Sequence, residues 1–324
     1  MQKDLTRFTS QDVQESAPHN KIDGAVEYDL VDNVSKENAI NGKMPKKFVR
    51  LASRYFTRFF EEREKGNCFY ETCFTVEDDE MGYVPNHVPT LVKQRAMKRD
   101  DVFETYAPAV LNFFEVPTVF NTTCEDSQGY GYIASIDFIK PDETFMLYQD
   151  LGCGEYDFGS YLNLEQSVEC VSKALVEFFE KNNLQLSQEV YDKHISQFVK
   201  SYLTRICLMG DLDFSARNSG ILINEKTRQV RPAPNFDFEL CFRFDPKHIT
   251  EKDLIFAADH YPAEYEMFLE KLNLFMKKKD GVAPYQDLHD QICDSTRYRE
   301  TIFEFIEKQS KLIESVNQNA KINI

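Results

Sequence analysis

The sequence contains no tryptophan, and it also lacks several kinds of functional motif. Its eight cysteines form no CxxC pair and its six histidines show no metal-ligand spacing, which argues against a zinc finger or ribbon. No run of about 18 apolar residues occurs, and the first residues, Met1 to Arg7, lack the apolar core of a signal peptide. We therefore expect a cytoplasmic protein with reduced thiols, although export or translocation into a host without a signal peptide would leave no such trace.

Basic residues are also comparatively few. The chain has 38 lysines and arginines against 54 aspartates and glutamates, which gives a formal net charge of −16. A large negative charge repels phosphate groups, so we expect neither a nucleic acid nor an anionic membrane as the main partner. The oligomeric state leaves no signal in the sequence.

Apolar and aromatic residues are abundant enough for a substantial core. Hydrophobic residues make up 42% of the 324 positions, including 27 phenylalanines and 16 tyrosines. Residues 1–44 are polar and predict a flexible or loosely packed segment. Strand-like runs dominate residues 45–140 and helical periodicity dominates residues 141–324. The prediction is an α+β fold with two lobes, a β-containing N-lobe and a mainly helical C-lobe.

Local patterns give more detailed predictions. The apolar spacing in residues 46–60 predicts a basic amphipathic helix. Alternation predicts strands over residues 68–76, 88–93 and 131–139, and a hairpin formed by residues 221–223 and 229–231. Periodicity close to 3.6 predicts further helices over residues 100–114, 165–181, 188–208, 252–277 and 296–316.

An ordered set of polar residues follows the helix predicted over 188–208. Asp213 is followed five positions later by Asn218, and Asp237 comes directly after the predicted hairpin. Phosphoryl transfer needs an acid at the acceptor hydroxyl and oxygen ligands that hold Mg²⁺ against the nucleotide phosphates. The D-x4-N spacing alone is common, and it is the order of helix, acid, amide, hairpin and acid that indicates a kinase.

Two other acids are rivals for these roles. Asp211 follows Gly210 as in small-molecule kinases, but its spacing to Asn218 is two residues too long, which favours Asp213 as the catalytic acid. The triplet Asp157-Phe158-Gly159 spells a kinase metal motif, yet it precedes the catalytic loop, and its glycine fits a turn better.

A cation for the phosphates is expected upstream of this set. Lys93 ends a predicted strand, and Glu104 lies eleven residues later in a predicted helix, where it could hold the lysine in place. A solvated charge cluster is the alternative, since Arg95, Lys98 and Arg99 follow closely.

The motifs together resemble the HipA-like Ser/Thr kinase family, and in particular its compact, cell-translocating pro-inflammatory group. The resemblance covers roughly residues 88–245. It is carried by Gly210-x-x-Asp213-x4-Asn218-x-Gly220, by Ala233-Pro234-x-Phe236-Asp237, and by a hinge-like strand, Ile133-Ala134-Ser135-Ile136-Asp137-Phe138.

The resemblance implies a protein-kinase-like fold that uses ATP and Mg²⁺. It places Lys93 on the phosphates, Asp213 as the catalytic acid, and Asn218 and Asp237 as the metal ligands. The backbone around Ser135, Ile136 and Asp137 would hold the adenine.

The chain departs from the family pattern at three places. Phe214-Ser215 replaces the basic residue and histidine that usually follow the catalytic aspartate, and Phe238-Glu239 replaces a small residue and glycine after Asp237. No glycine-rich loop is evident before Lys93, since the candidate turn over residues 78–82 is acidic and would repel phosphate.

Three functions therefore remain open from the sequence. The favoured one is an ATP- and Mg²⁺-dependent Ser/Thr protein kinase acting on a protein substrate. A kinase-fold binding protein without catalysis and a small-molecule kinase are the alternatives. Retention of all three of Asp213, Asn218 and Asp237 argues against the non-catalytic reading.

Overall fold

The computed structural model describes ten stretches of the chain. They are residues 25–27, 46–66, 68–74, 84–94, 100–126, 131–154, 158, 161–242, 251–293 and 298–322. Among these residues, no helix combines the length and the apolar character that crossing a membrane requires.

A five-stranded antiparallel sheet forms the N-lobe, with strand order β1-β2-β3-β5-β4. Its strands are β1 (Ala25–Glu27), β2 (Lys46–Ala52), β3 (His87–Gln94), β4 (Asn121–Glu125) and β5 (Gly131–Ile136). The predicted strands over 88–93 and 131–139 correspond to β3 and β5. Strand β1 lies inside the segment predicted to be flexible, so the sheet begins before residue 45.

The helix predicted over residues 46–60 is wrong for its first half. Lys46–Ala52 is strand β2, which pairs with β1 on one side and along its whole length with β3 on the other. A 3₁₀ turn, Ser53–Phe56, leads into helix α1, Thr57–Glu64. Phe48, Val49 and Leu51 are buried, because the hydrogen bonds and packing offered by β1 and β3 outweigh the local helical pattern.

Helix α2 (Asp100–Phe113) connects the two lobes and carries Glu104. It belongs to the C-lobe core: the ring of Phe113 lies 4.8 Å from that of Phe275, and Phe114 packs 5.6 Å from Phe268. Tyr106 donates a hydrogen bond from its hydroxyl to the carbonyl of Tyr285, at 2.8 Å. The position of Glu104 is therefore fixed from the C-lobe side.

The described part of the C-lobe contains six further α-helices. They are α3 (Leu164–Lys181), α4 (Gln188–Tyr202), α5 (Glu251–His260), α6 (Pro262–Met276), α7 (Pro284–Ile292) and α8 (Arg299–Ile322). Asn163 caps α3 in a capping box with Gln166, and Ser187 caps α4. The predicted helix over 252–277 is two helices, because Pro262 starts a new one.

A second antiparallel sheet lies at the floor of the cleft between the lobes. It consists of β6 (Glu143–Leu147), β7 (Gly220–Asn224) and β8 (Val230–Pro232), in that order. The predicted hairpin is β7–β8, whereas β6 was not predicted. Gly220 lets β7 approach β6, since a Cβ atom at this position would lie 2.0 Å from the carbonyl oxygen of Met146.

The segment 68–74 does not form the strand predicted over 68–76. Within the described residues it makes one bridge, between Tyr70 and Thr118, and Thr118 bridges in turn to Asn235. Residues 75 and 76 lie outside the described chain. These bridges place the N-lobe segment around Thr118 beside the loop that leads to Asp237.

Candidate active site

A cleft between the two sheets brings the predicted site residues together. Leu91 and Ile133 line its N-lobe side, and Phe145, Leu147 and Phe236 line its C-lobe side. Lys93, Glu104 and Asp237 meet at one end of the cleft, and its other polar lining residues are Ser135, Asp137, Arg217 and Asn218. An apolar slot with a polar end is the arrangement expected for a nucleotide whose base is buried and whose phosphates are exposed.

Lys93 lies at the end of β3 and contacts three carboxylates. Its Nζ atom is 3.0 Å from Oε1 of Glu104 and 2.9 Å from Oδ1 of Asp237, and it also forms an ion pair with Glu239. Burial alone would lower the pKa of Lys93, but the three carboxylates outweigh that effect and the pKa lies above its usual value. Lys93 is therefore charged throughout the physiological range.

Glu104 holds two parts of the site at once. Its Oε1 atom accepts the hydrogen bond from Lys93, while its Oε2 atom accepts from the backbone N–H of Phe238, at 3.1 Å. The side chain is only 3% exposed, and burial raises its pKa against the opposing effect of Lys93. The structure thus brings the sequence-predicted pair Lys93–Glu104 together and ties it to the loop of Asp237.

Asp213 and Asn218 are hydrogen-bonded to each other in the loop that precedes β7. The Nδ2 group of Asn218 donates to the backbone oxygen and to Oδ2 of Asp213, each at 2.9 Å. No described residue hydrogen-bonds the remaining amide oxygen of Asn218, which is the atom a cation would use. Burial, with the nearby charges of Asp237 and Asp211, raises the pKa of Asp213 to about 7.

Asp211, the rival for the catalytic acid, is fully buried in an ion pair with Arg205. The Nε and Nη2 atoms of Arg205 lie 2.7 and 2.6 Å from its Oδ2 atom. The other oxygen accepts the backbone N–H of Asp213, at 3.0 Å. Asp211 thus stabilises the turn that contains Asp213. Both of its carboxylate oxygens are engaged, one by Arg205 and the other by the N–H of Asp213.

Asp237 adopts a left-handed backbone conformation, with φ of 60°. Arg205 stabilises this loop by donating to the carbonyl oxygens of Phe236, at 3.2 Å, and Asp237, at 2.8 Å. Asn235 anchors the preceding residues to the N-lobe, since its N–H donates to the carbonyl of Pro117, at 2.9 Å. Asn218 and Asp237 both line the cleft and offer the oxygen ligands that Mg²⁺ prefers, so the predicted donor set fits this metal.

The backbone of Ser135, Ile136 and Asp137, which was expected to hold the adenine, is already hydrogen-bonded within the protein. Ser135 and Ile136 belong to β5, which is paired on both sides. The N–H of Asp137 donates to the carbonyl of Pro89, at 3.0 Å, and its carbonyl accepts from Cys73, at 2.7 Å. Within the described chain, the backbone groups of Phe138 make no hydrogen bond and border the cleft. The unoccupied hinge groups therefore lie one residue beyond the predicted ones.

Several residues of the site were not predicted from the sequence to take part in it. Glu239 pairs with Lys93, Arg205 joins the catalytic and metal loops, and Arg217 lines the cleft beside Asn218. Phe214, at a position where the family has a basic residue, packs its ring 4.6 Å from the guanidinium of Arg205. Arg205 itself would have been the one usable clue, because a charged residue inside a predicted helix needs partners if it is buried.

Other sequence candidates fall partly or wholly outside the described residues. The acidic turn over residues 78–82 lies outside them, as do Arg95, Lys98 and Arg99. Of the triplet 157–159, only Phe158 is described, and its ring packs in the core against Phe198 and Phe214.

No family model matches the chain, and no curated protein matches its sequence. Solved structures do match. The crystal structure of the Helicobacter pylori proinflammatory kinase CtkA is 14% identical, with a TM-score of 0.49, over 74% of this chain and 94% of that one. A chain of the Shewanella oneidensis MR-1 toxin–antitoxin complex of HipA, HipB and operator DNA is 8% identical, with a TM-score of 0.45, over 71% and 59%.

Both structures come from the group that the sequence motifs resemble, and the chain is similar to each of them at a TM-score just under 0.5. At these identities the likeness concerns the fold alone.

Proposed function

We propose that the chain is an ATP- and Mg²⁺-dependent kinase that transfers the γ-phosphoryl group to a serine or threonine hydroxyl of a protein. One observation carries the proposal. Lys93, fixed by Glu104, lies beside Asp237 in a cleft that also contains Asn218, which is bonded to Asp213. These are the cation, the metal ligands and the acid that phosphoryl transfer requires.

Asp213 would act on the acceptor. As the hydroxyl oxygen attacks the γ-phosphorus and ADP leaves, the hydroxyl proton passes to the Asp213 carboxylate. The hydrogen bond from Asn218 keeps this carboxylate in one orientation, and Asp211 fixes the backbone beneath it. Arg217 lines the same end of the cleft and would add positive charge where the transferred group accumulates negative charge.

The rest of the cleft would hold the nucleotide. Leu91 and Ile133 would cover one face of the adenine and Phe145 the other, while the backbone groups of Phe138 would bond its edge. Lys93 would contact the phosphates. Mg²⁺ held by Asn218 and Asp237 would neutralise phosphate charge during transfer.

Phosphate incorporation, measured by mass spectrometry with ATP and Mg²⁺, tests this function. The purified chain is incubated alone and with a generic protein substrate, beside Asp213→Asn, Asp237→Asn and the surface control Asp192→Asn. We expect incorporation by the wild type and the control, and a loss of at least about 100-fold in both site variants. Full activity of Asp213→Asn would contradict its role, and incorporation only into small hydroxyl compounds would indicate a small-molecule kinase.

A kinase-fold binding protein without catalysis is the second candidate. It is favoured by the ion pair of Glu239 with Lys93, which occupies the cation that phosphates need. The same experiment separates the two functions. No incorporation under any condition, together with no thermal stabilisation by Mg-ATP, would support the non-catalytic protein.

A further inference from the structure

Glu239 places a third carboxylate on the lysine that would bind phosphate. The oxygen atoms of Glu104, Asp237 and Glu239 lie within 4.8 Å of one another, and Lys93 contacts all three. One positive charge therefore faces three negative ones. This cluster of four side chains carries a surplus of about two negative charges when all three carboxylates are ionised.

This surplus opposes a nucleotide that arrives without a metal. The phosphates of ADP or ATP are themselves polyanions, and like charges a few ångströms apart in a partly buried cleft repel strongly. A divalent cation at Asp237 would cancel this surplus, because it adds two positive charges to the cluster. Metal and nucleotide should consequently bind with strong positive coupling.

Glu239 is the member of the cluster that is free to leave. The Glu104 carboxylate is almost fully buried and also bonds the N–H of Phe238, so it is held in place. The side chain of Glu239 is 29% exposed, and its polar contact among the described residues is with Lys93. Its neighbours Phe238, Cys241 and Phe242 are buried, so we expect the backbone to stay in place while a change of the Glu239 rotamer releases Lys93.

We propose that Glu239 occupies Lys93 in the metal-free protein and thereby makes nucleotide binding conditional on a divalent cation. The inference rests on the proposed nucleotide-binding function of this cleft. It gives a role to the glutamate that stands where the family motif has a glycine. Glu239 acts as an intramolecular competitor of the phosphates, and the metal ion relieves that competition.

Dissociation constants of ADP, measured by isothermal titration calorimetry in EDTA and in MgCl₂, test the inference. ADP is used so that no turnover occurs. The proteins are the wild type, Glu239→Gln, Lys93→Met, and Glu177→Gln as a matched control that alters an exposed glutamate beside Lys173 on α3. In EDTA we expect Glu239→Gln to bind ADP about tenfold more tightly than the wild type, the usual size of the effect of one nearby charge.

In MgCl₂ we expect the wild type and Glu239→Gln to differ by less than about threefold, because the metal has already relieved the competition. Equal affinities in EDTA would overturn the inference. So would weaker Mg-ADP binding by Glu239→Gln without a gain in EDTA, which would make Glu239 a metal ligand. If the wild type binds no ADP in either buffer, the proposed function fails, whereas binding with unchanged Glu239→Gln constants removes only this inference.

Discussion

Arg205 shows how one buried side chain can organise a site that the sequence motifs describe only in outline. Its guanidinium lies between the rings of Phe214 and Phe238, 4.6 and 4.7 Å from their centres. It also pairs with Asp211 and donates to the carbonyls before and at Asp237. A buried ion pair is tolerated when its remaining donors and acceptors are satisfied, and here they satisfy the two loops of the active site.

The same contacts explain one departure from the family pattern. Phe214 replaces a residue that is usually basic, and the guanidinium of Arg205 packs on the face of its ring. An aromatic residue at this position supports the arginine by a cation–π contact, which gains strength in a site shielded from water. Phe214 is therefore part of the support of the catalytic loop, and its replacement removes packing as well as ring contact.

Asp213 supplies a test of the electrostatics at the scale of one residue. Its pKa of about 7 in the folded chain exceeds the ordinary value of 3.8, so the folded state holds the proton more tightly than the unfolded state. The contribution of Asp213 to stability should therefore decrease as the pH rises from about 4 to about 7. We expect Asp213→Asn to raise the free energy of unfolding at pH 8 by about 1–2 kcal/mol and to change it little at pH 4.5.

Urea denaturation in EDTA at the two pH values measures this difference. The exposed Asp192→Asn variant controls for the loss of one negative charge from an acidic protein. An equal gain at both pH values, or a gain in the control as large as that of Asp213→Asn, would contradict the assignment of the shift to Asp213.

Helix α2 lies between the lobes but packs on the C-lobe. Its buried aromatic side chains pack on helices of the C-lobe, and Glu104 reaches back to Lys93 of the N-lobe sheet. Moving α2 away from the cleft would expose several phenylalanine rings, at about 2 kcal/mol for each large apolar side chain. Separation of the Lys93–Glu104 pair by movement of α2 would therefore be costly, and control of the proposed nucleotide binding would act elsewhere in the cleft.

The close approach of β7 to β6 gives a prediction for a single element. An added methyl group at Gly220 would meet the carbonyl of Met146, which cannot move without disturbing the sheet. We expect Gly220→Ala to lower the free energy of unfolding by about 1–3 kcal/mol, the usual cost of overpacking. Thermal or urea denaturation measures it.

Gly66→Ala serves as the comparison for this prediction, because open space surrounds Gly66 and only its positive φ of 77° resists a side chain. We expect the cost there to be about 1 kcal/mol. A Gly220→Ala variant as stable as Gly66→Ala would show that the two strands can separate at low cost.

In the whole molecule, polar contacts join the lobes behind the cleft. Arg231 on β8 forms two hydrogen bonds with Glu143, at 2.8 and 2.9 Å, and a further ion pair with Glu71 of the N-lobe. Backbone bonds between residues 117–119 and Asn235 lie on the same side. The loop of Asp237 is thereby attached to both lobes, so that their relative position sets the geometry of the site.

A double-mutant cycle of Arg231→Met and Glu71→Gln measures the strength of this connection. We expect a coupling energy of about 1 kcal/mol for a half-buried pair of this kind. The free energies of unfolding of the two single variants and the double variant, from urea denaturation, provide it. Additive effects within about 0.3 kcal/mol would mean that the pair does not connect the lobes energetically.

Residue order was enough to predict that Asp213, Asn218 and Asp237 come close together, and it also predicted the α+β plan of the fold. The roles of the three side chains stay predictions. Asp213, Asn218 and Asp237 lie on or beside a short hairpin, and spacing along the chain controls local geometry of this kind. Periodicity similarly predicted α2, α3, α4 and β5 to within a few residues.

Only the tertiary structure decided features that depend on partners distant in sequence. Residues 46–52 form a strand because β1 and β3 are available to pair with them, and a local pattern cannot reveal that. Lys93 and Glu239 are separated by most of the kinase-like region, and their contact arises because α2 and the loop of Asp237 meet at the end of β3. Electrostatic interaction depends on distance in space, so a sequence states which charges exist and the fold determines which of them meet.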